Sequence, residues 1–139
     1  MLGSFAVPSA RREVLPGGVD ASRFGAARVK RAEARSRFGI ADDQFCVLTA
    51  CRLVPKKGID FLLRAMAEAG ADSWTLVVAG DGPYRRDYEA LAASLDLQHR
   101  VRFLGRLPHS AMPECFAAAD AFVLASHDVA VGDGAVDAE

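Results

Sequence analysis

Four short apolar runs alternate with segments of helical periodicity, and this restricts the possible folds more than any other feature of the chain. The runs are Phe45-Cys46-Val47-Leu48-Thr49-Ala50, then Trp74 to Ala79, then Val101-Arg102-Phe103-Leu104, then Ala121-Phe122-Val123-Leu124. Runs this short and nearly unbroken suit strands covered on both faces, as in parallel sheets. Between them, Ile59, Leu62, Leu63 and Met66 recur at i, i+3, i+4 and i+7, and Gly70 stands near the end of that helix. Tyr84, Tyr88, Leu91 and Leu95 predict the inner face of a second helix, and Met112, Cys115 and Phe116 that of a third. Strand and helix in alternation require right-handed crossovers and a parallel sheet. The expectation is an α/β domain: a Rossmann-like parallel sheet of four main strands with flanking helices.

The flanking segments carry weaker patterns. Residues 1–26 read as a linker and the start of the domain, with a short strand at Arg12-Glu13-Val14-Leu15 and a turn at Pro16-Gly17-Gly18-Val19-Asp20. A helix is expected over about 27–38, stopped by Gly39, with Arg28, Lys30, Arg31, Arg35 and Arg37 on a solvated surface. Residues 27–125 form the sheet domain. Residues 126–139 hold Gly132, Gly134 and the aspartates 128, 133 and 137 without periodicity, and read as a long loop in which the chain is truncated.

Bulk chemistry excludes several functions. The 139 residues suit one domain, and a formal net charge of −1 favours no polyanion, so nucleic acid is not an expected partner. Cys46, Cys51 and Cys115 have no metal-ligand spacing and read as reduced, buried thiols, with Cys46 and Cys51 on opposite sheet faces. No metal site is expected. No apolar run approaches the roughly 18 residues of a membrane helix. The start has no signal-peptide pattern, so the chain is expected in the cytoplasm. A peripheral membrane contact in the full-length protein stays open.

In an open α/β sheet, ligands bind beyond the carboxyl ends of the strands, where the strand order reverses. An order 3-2-1-4 puts that point between the first and fourth strands. It brings together the basic loop Cys51-Arg52-Leu53-Val54-Pro55-Lys56-Lys57-Gly58 and residues 126–139. Arg52 can fork onto two phosphate oxygens, Lys57 adds a compact charge, and Gly58 opens a helix whose first N–H groups point outward. By spacing alone, such a loop also reads as ordinary surface charge. There is no GxxxxGK[ST] and no first-strand GxGxxG, which argues against a P-loop enzyme and a nicotinamide or flavin dehydrogenase. Gly80-Asp81-Gly82-Pro83 reads as a tight turn that starts a helix. No GxSxG elbow is present, and His99, His109 and His127 are scattered; only His127 borders the expected crevice.

The ordered series resembles the C-terminal domain of family 4 (group 1) glycosyltransferases, which have the GT-B fold. The matching pieces begin with Val14-Leu15-Pro16-Gly17-Gly18-Val19-Asp20 and Phe24, then Arg52-Leu53-Val54-Pro55-Lys56-Lys57-Gly58-Ile59-Asp60-Phe61. They continue with Val77-Val78-Ala79-Gly80-Asp81-Gly82-Pro83, Val101-Arg102-Phe103-Leu104-Gly105, and Ala119-Asp120-Ala121-Phe122-Val123-Leu124-Ala125-Ser126. The resemblance implies that Arg52 and Lys57 bind the donor diphosphate. It implies that Gly105 and Arg106 lie near the nucleotide base, and that Gly17 and Gly18 face the interdomain cleft. It also implies a Glu-x7-Glu motif, whose first glutamate is best matched by catalytic Glu139, with Asp128 or Asp137 as alternatives. The activity implied is retaining transfer of a sugar from a nucleoside diphosphate sugar to a hydroxyl acceptor, without cofactor or metal. The acceptor-binding N-terminal domain is missing, so the chain alone is expected to be inactive. The alternative is a non-catalytic nucleotide-binding module or a degenerate fragment. A flavodoxin-like signalling domain would need acidic residues where Arg52 stands.

Overall fold

The strand register follows directly from the apolar runs. In the computed structural model, which describes residues 17–27, 30–70 and 74–128, β1 (Phe45–Ala50), β2 (Trp74–Ala79), β3 (Val101–Gly105) and β4 (Ala121–Phe122) form one sheet in the order β3-β2-β1-β4. All neighbouring strands are parallel, with Phe45 opposite Trp74 and Ala50 opposite Ala79. This is the expected architecture and strand order.

Alternation along the strands splits the core in two. Leu76 and Val78 of β2 pack on one face with Ile59, Leu63 and Met66 of α3 (Ile59–Ala69) and with Tyr88 and Ala92 of α4 (Arg85–Ser94). Val77 and Ala79 pack on the other face with Cys46 and Leu48 of β1, Ala34 of α2 (Arg31–Arg37), and Cys115 and Ala118 of α5 (Met112–Ala118). Cys46 belongs to the second cluster and Cys51 packs against the first, so the two thiols do take opposite faces. Burial pushes the Cys46 and Cys115 thiols up to about 11.

Three boundaries differ from the sequence reading. The segment 1–26 already contains part of a helix, α1 (Ala21–Ala27), begun by Asp20, whose carboxylate accepts the Ser22 N–H and whose Phe24 neighbour on the helix meets Phe116 edge to face. The helix expected over 27–38 is α2, Arg31–Arg37, and its Arg31 and Arg35, four residues apart, both reach the end of α5. Strand β4 pairs for two residues rather than four, although the Val123 N–H still donates to the Leu48 carbonyl. The expected strand at 12–15 lies outside the described residues.

The basic face of α2 is not simply solvated, as its sequence suggested. Arg35 is 3% exposed. Its guanidinium donates to the carbonyls of Ala118, Ala41 and Gln44 and to the Asp120 carboxylate. Arg31 donates to the Ala117 and Ala119 carbonyls and to Asp120. Asp120 in turn accepts the Cys46 N–H, and its own N–H donates to the Cys46 carbonyl. These bonds cap the end of α5 and fix the height at which β4 enters the sheet. Lys30, exposed, and Arg37, paired with Glu114 at the surface, behave as the sequence reading expected, and Arg28 lies outside the described residues.

Candidate functional site

Backbone hydrogen bonds lace together the three loops that leave β1, β2 and β3. The Cys51 N–H donates to the Ala79 carbonyl, Leu53 N–H to Asp81, and Gly80 N–H to Gly105. These loops approach too closely for side chains at two positions. A Cβ at Gly80, whose φ is 138°, would lie 1.9 Å from the Cys51 carbonyl oxygen, and one at Gly82 would lie 2.4 Å from that of Leu53. The glycines of the Gly-Asp-Gly-Pro turn thus serve loop packing. Pro83 precedes α4, which begins at Arg85, and Tyr84 caps that helix partly exposed instead of facing the core.

Above these loops lies a crevice of about 710 Å³ at the carboxyl ends of β1, β2 and β3. Cys51 and Arg52 line it from the first loop, Gly80, Asp81 and Gly82 from the second, and Arg106 and Leu107 from the third, with Met112 at the start of α5. The open volume is therefore on the β2 side of β1. On the β4 side the chain packs closely: the Ala125 carbonyl oxygen lies 2.1 Å from where a Cβ of Gly58 would be, and the His127 N–H donates to the Lys56 carbonyl. The His127 ring meets Phe61 of α3 at 4.8 Å between centroids. Residues 125–127 do reach the basic loop, as the strand order required, but they cover the start of α3 rather than wall an opening.

Arg52 and Arg106 are exposed at the crevice and form no ion pair among the described residues. Lys57 is half-buried, ends a short 3-10 turn (Pro55–Lys57), and does not line the crevice. Its charge reaches the wall all the same. Burial raises the Cys51 thiol above its ordinary value of 9.0, while the Thr49 hydroxyl and the Lys57 ammonium partly offset that rise. The Thr49 hydroxyl makes no regular hydrogen bond among the described residues, so its contact with the thiol is weak. Gly58, in the left-handed region at φ 63°, turns the chain into α3, whose Ile59, Asp60 and Phe61 amides have no acceptor among the described residues.

Gly105 (φ 72°) ends β3 beside the crevice, with the Arg85 guanidinium close to it. Gly17 and Gly18 are exposed ahead of α1 and do not line the crevice. Asp128 is exposed beyond His127, while Glu139 and Asp137 lie outside the described residues. The sequence reading missed Asp81 on the crevice wall, treating its turn only as a helix start. Among the described residues, no cluster of three His, Cys, Asp or Glu side chains could hold a metal, and no helix is long and apolar enough to cross a membrane.

An open parallel sheet with a basic crevice beyond its strand ends defines a ligand-binding α/β domain. Residues 30–136 match the family described as "Glycosyl transferases group 1", and the chain belongs to that family. It is 37% identical over 119 residues to the GDP-mannose-dependent alpha-(1-6)-phosphatidylinositol monomannoside mannosyltransferase of Mycolicibacterium smegmatis, covering 84% of this chain and 31% of the relative. Among solved structures it is similar to WaaG, a glycosyltransferase involved in lipopolysaccharide biosynthesis (TM-score 0.72, 26% identity, 86% of this chain and 33% of that one). It is also similar to HepE of Anabaena in complex with UDP and glucose (TM-score 0.70, 26% identity, 82% and 31%). The chain thus spans about a third of the length of the relatives it matches.

Proposed function

We propose that the chain forms part of the donor-binding domain of a retaining glycosyltransferase, which transfers a sugar from a nucleoside diphosphate sugar to a hydroxyl acceptor in the cytoplasm. The observation that carries this reading is Arg52, a cation at the crevice with no ion pair among the described residues, with the Lys57 ammonium close enough to act on the Cys51 thiol. The relative that depends on GDP-mannose and the neighbour that holds UDP support it.

In this reading Arg52 and Lys57 hold the diphosphate, and the first amides of α3 add the positive end of a helix dipole. Negative charge grows on the departing diphosphate as the glycosidic bond breaks. Cations fixed beforehand stabilise that charge more than they stabilise the intact donor, and this difference lowers the barrier. No further cofactor is needed for that neutralisation. Gly105 and Arg106 lie on the nucleotide side of the crevice. Gly17 and Gly18 face an acceptor-binding domain, and Glu139 contacts the donor sugar.

Calorimetric titration of the chain with UDP and GDP tests the grip. Each charge-assisted bond contributes about 1.5–3 kcal/mol, so Arg52→Ala and Lys57→Ala are each expected to weaken binding by about 10- to 150-fold. Wild-type affinity in both variants would refute the assignment.

A further inference from the structure

We infer that His127 is a third, proton-dependent cation beside the diphosphate, so that donor binding tightens as the pH falls. This inference rests on the proposed donor site and adds to it one residue and a control by pH. The segment that carries His127 is tied to the basic loop. Its N–H donates to the Lys56 carbonyl at 3.0 Å, and two residues earlier the Ala125 carbonyl lies against Gly58. The ring is held as well, edge to face with Phe61, at 4.8 Å between centroids and 79° between planes. Phe61 is the third residue of α3, and the amides of Ile59, Asp60 and Phe61 have no acceptor among the described residues. Helical side chains lean towards the N-terminus, so the Phe61 ring covers the turn at which these amides open. An anion held on those amides has the His127 ring as a neighbour.

The contacts of the ring decide what a proton would add. Nδ1 stands 3.1 Å from the Asp128 carbonyl oxygen. A carbonyl only accepts, so the neutral ring carries its proton on Nδ1 and a lone pair on Nε2. Nε2 has no hydrogen-bond partner among the described residues, and His127 forms no ion pair with any of them. The Phe61 ring has no charge, so its contact places the imidazole without neutralising it. Protonation therefore adds one donor and one positive charge and breaks no bond. The charged groups on the elements packed against His127 are Lys56 and Lys57 of the loop, Asp60 and Arg64 of α3, and the adjacent Asp128. Carboxylate, ammonium and guanidinium groups ordinarily keep their charge between about pH 5.5 and 8, where an imidazole changes its own. A diphosphate beside the ring favours the charged form, and by linkage the charged form favours the diphosphate. Binding then takes up protons, and affinity rises as pH falls through the imidazole range.

Calorimetric titration of the chain with UDP-glucose and with GDP-mannose, at about pH 5.5 and about pH 8, tests this. Nucleotide sugars are the suitable probes, because a terminal phosphate such as that of UDP titrates near pH 6, about where the imidazole does. The donor that binds is expected to bind wild type about fivefold or more tightly at the lower pH, since a rise of one unit in the bound ring is worth up to about tenfold. Repeating the titration near the imidazole midpoint in two buffers of different ionisation enthalpy is expected to show proton uptake on binding. His127→Asn keeps a donor for the Asp128 carbonyl but cannot become charged. Its affinities at the two pH values are expected to agree within about twofold, with the proton uptake lost. Equal wild-type affinities at both pH values, with Arg52→Ala still weakening them, overturn the inference and leave the donor site standing. A pH dependence that persists in His127→Asn overturns the assignment to His127. Failure of both donors to bind the folded chain at either pH rejects the donor site and this inference together.

Discussion

Three arginines on the seven-residue helix α2 should differ several-fold in what they contribute to stability. Arg35 is 3% exposed and gives four hydrogen bonds, three to carbonyls and one to Asp120. Arg35→Met keeps most of the apolar stem and removes the guanidinium. The carbonyls of Ala118, Ala41 and Gln44 then lose a partner in a place where water enters poorly. Breaking a buried ion pair from one side costs about 3–5 kcal/mol. Asp120 keeps Arg31 and the Cys46 N–H, so the lower end, about 3 kcal/mol, applies. Arg37 pairs with Glu114 at 2.7 Å, but its side chain is 64% exposed, and Arg37→Ala should cost at most about 1 kcal/mol. Arg31, with a side chain 39% exposed, should fall between them. Equilibrium unfolding in urea, followed by circular dichroism, measures all three. A loss of about 3 kcal/mol moves the midpoint by about 1–3 M. The reasoning is refuted if Arg35→Met unfolds within 1 kcal/mol of wild type, or if Arg37→Ala costs as much as Arg35→Met.

Two further outcomes follow from the same contacts. Partial burial pushes the Asp120 carboxyl up, but the Cys46 N–H, the Arg31 charge and the bonds from Arg35 and Arg31 outweigh it and hold the group below its ordinary value of 3.8. Its stabilising effect is therefore complete above pH 3.8 and is lost as pH falls through the lower folded value. Asp120→Asn should flatten the acid limb of a stability–pH profile, and unchanged slopes would contradict the pairing. Gly58→Ala places a Cβ 2.1 Å from the Ala125 carbonyl oxygen at a left-handed φ. It should cost about 1–3 kcal/mol and speed hydrogen exchange at the His127 amide, and exchange at the wild-type rate would show that the loops do not depend on that contact.

Much of the frame could be read from the residues. Strands β1 and β2 were visible because a strand covered on both faces must be apolar nearly throughout, and α3 because Ile59, Leu63 and Met66 repeat at helical spacing. The connections imply the parallel sense, while the order 3-2-1-4 comes from assuming the Rossmann arrangement; the sheet has that order, and with it residues 125–127 meet the basic loop. Arg52 and Arg106 were candidates before the crevice was seen, and both line it. Asp81 was missed because the Gly-Asp-Gly-Pro turn follows β2, not the strand next to the reversal point. Two closely placed glycines around one polar residue were the available signal, since such glycines mark a close approach of backbones.

The sequence by itself determined the sheet, its parallel sense and the end of it where ligands gather, because those depend on periodicity and chain connection, which are local or topological. Tertiary structure alone decided which charges face water and which are held. Arg35 and Arg37 are both arginines in the same short basic stretch, yet one is enclosed by the end of α5 and the other is in solvent. It also decided where the opening lies, because the Ala125 carbonyl on Gly58 closes the β4 side while the glycine turn leaves room on the β2 side. Both outcomes depend on atoms more than 60 residues apart coming into contact, as Arg35 does with Ala118 and His127 with Lys56, and no local pattern encodes that approach.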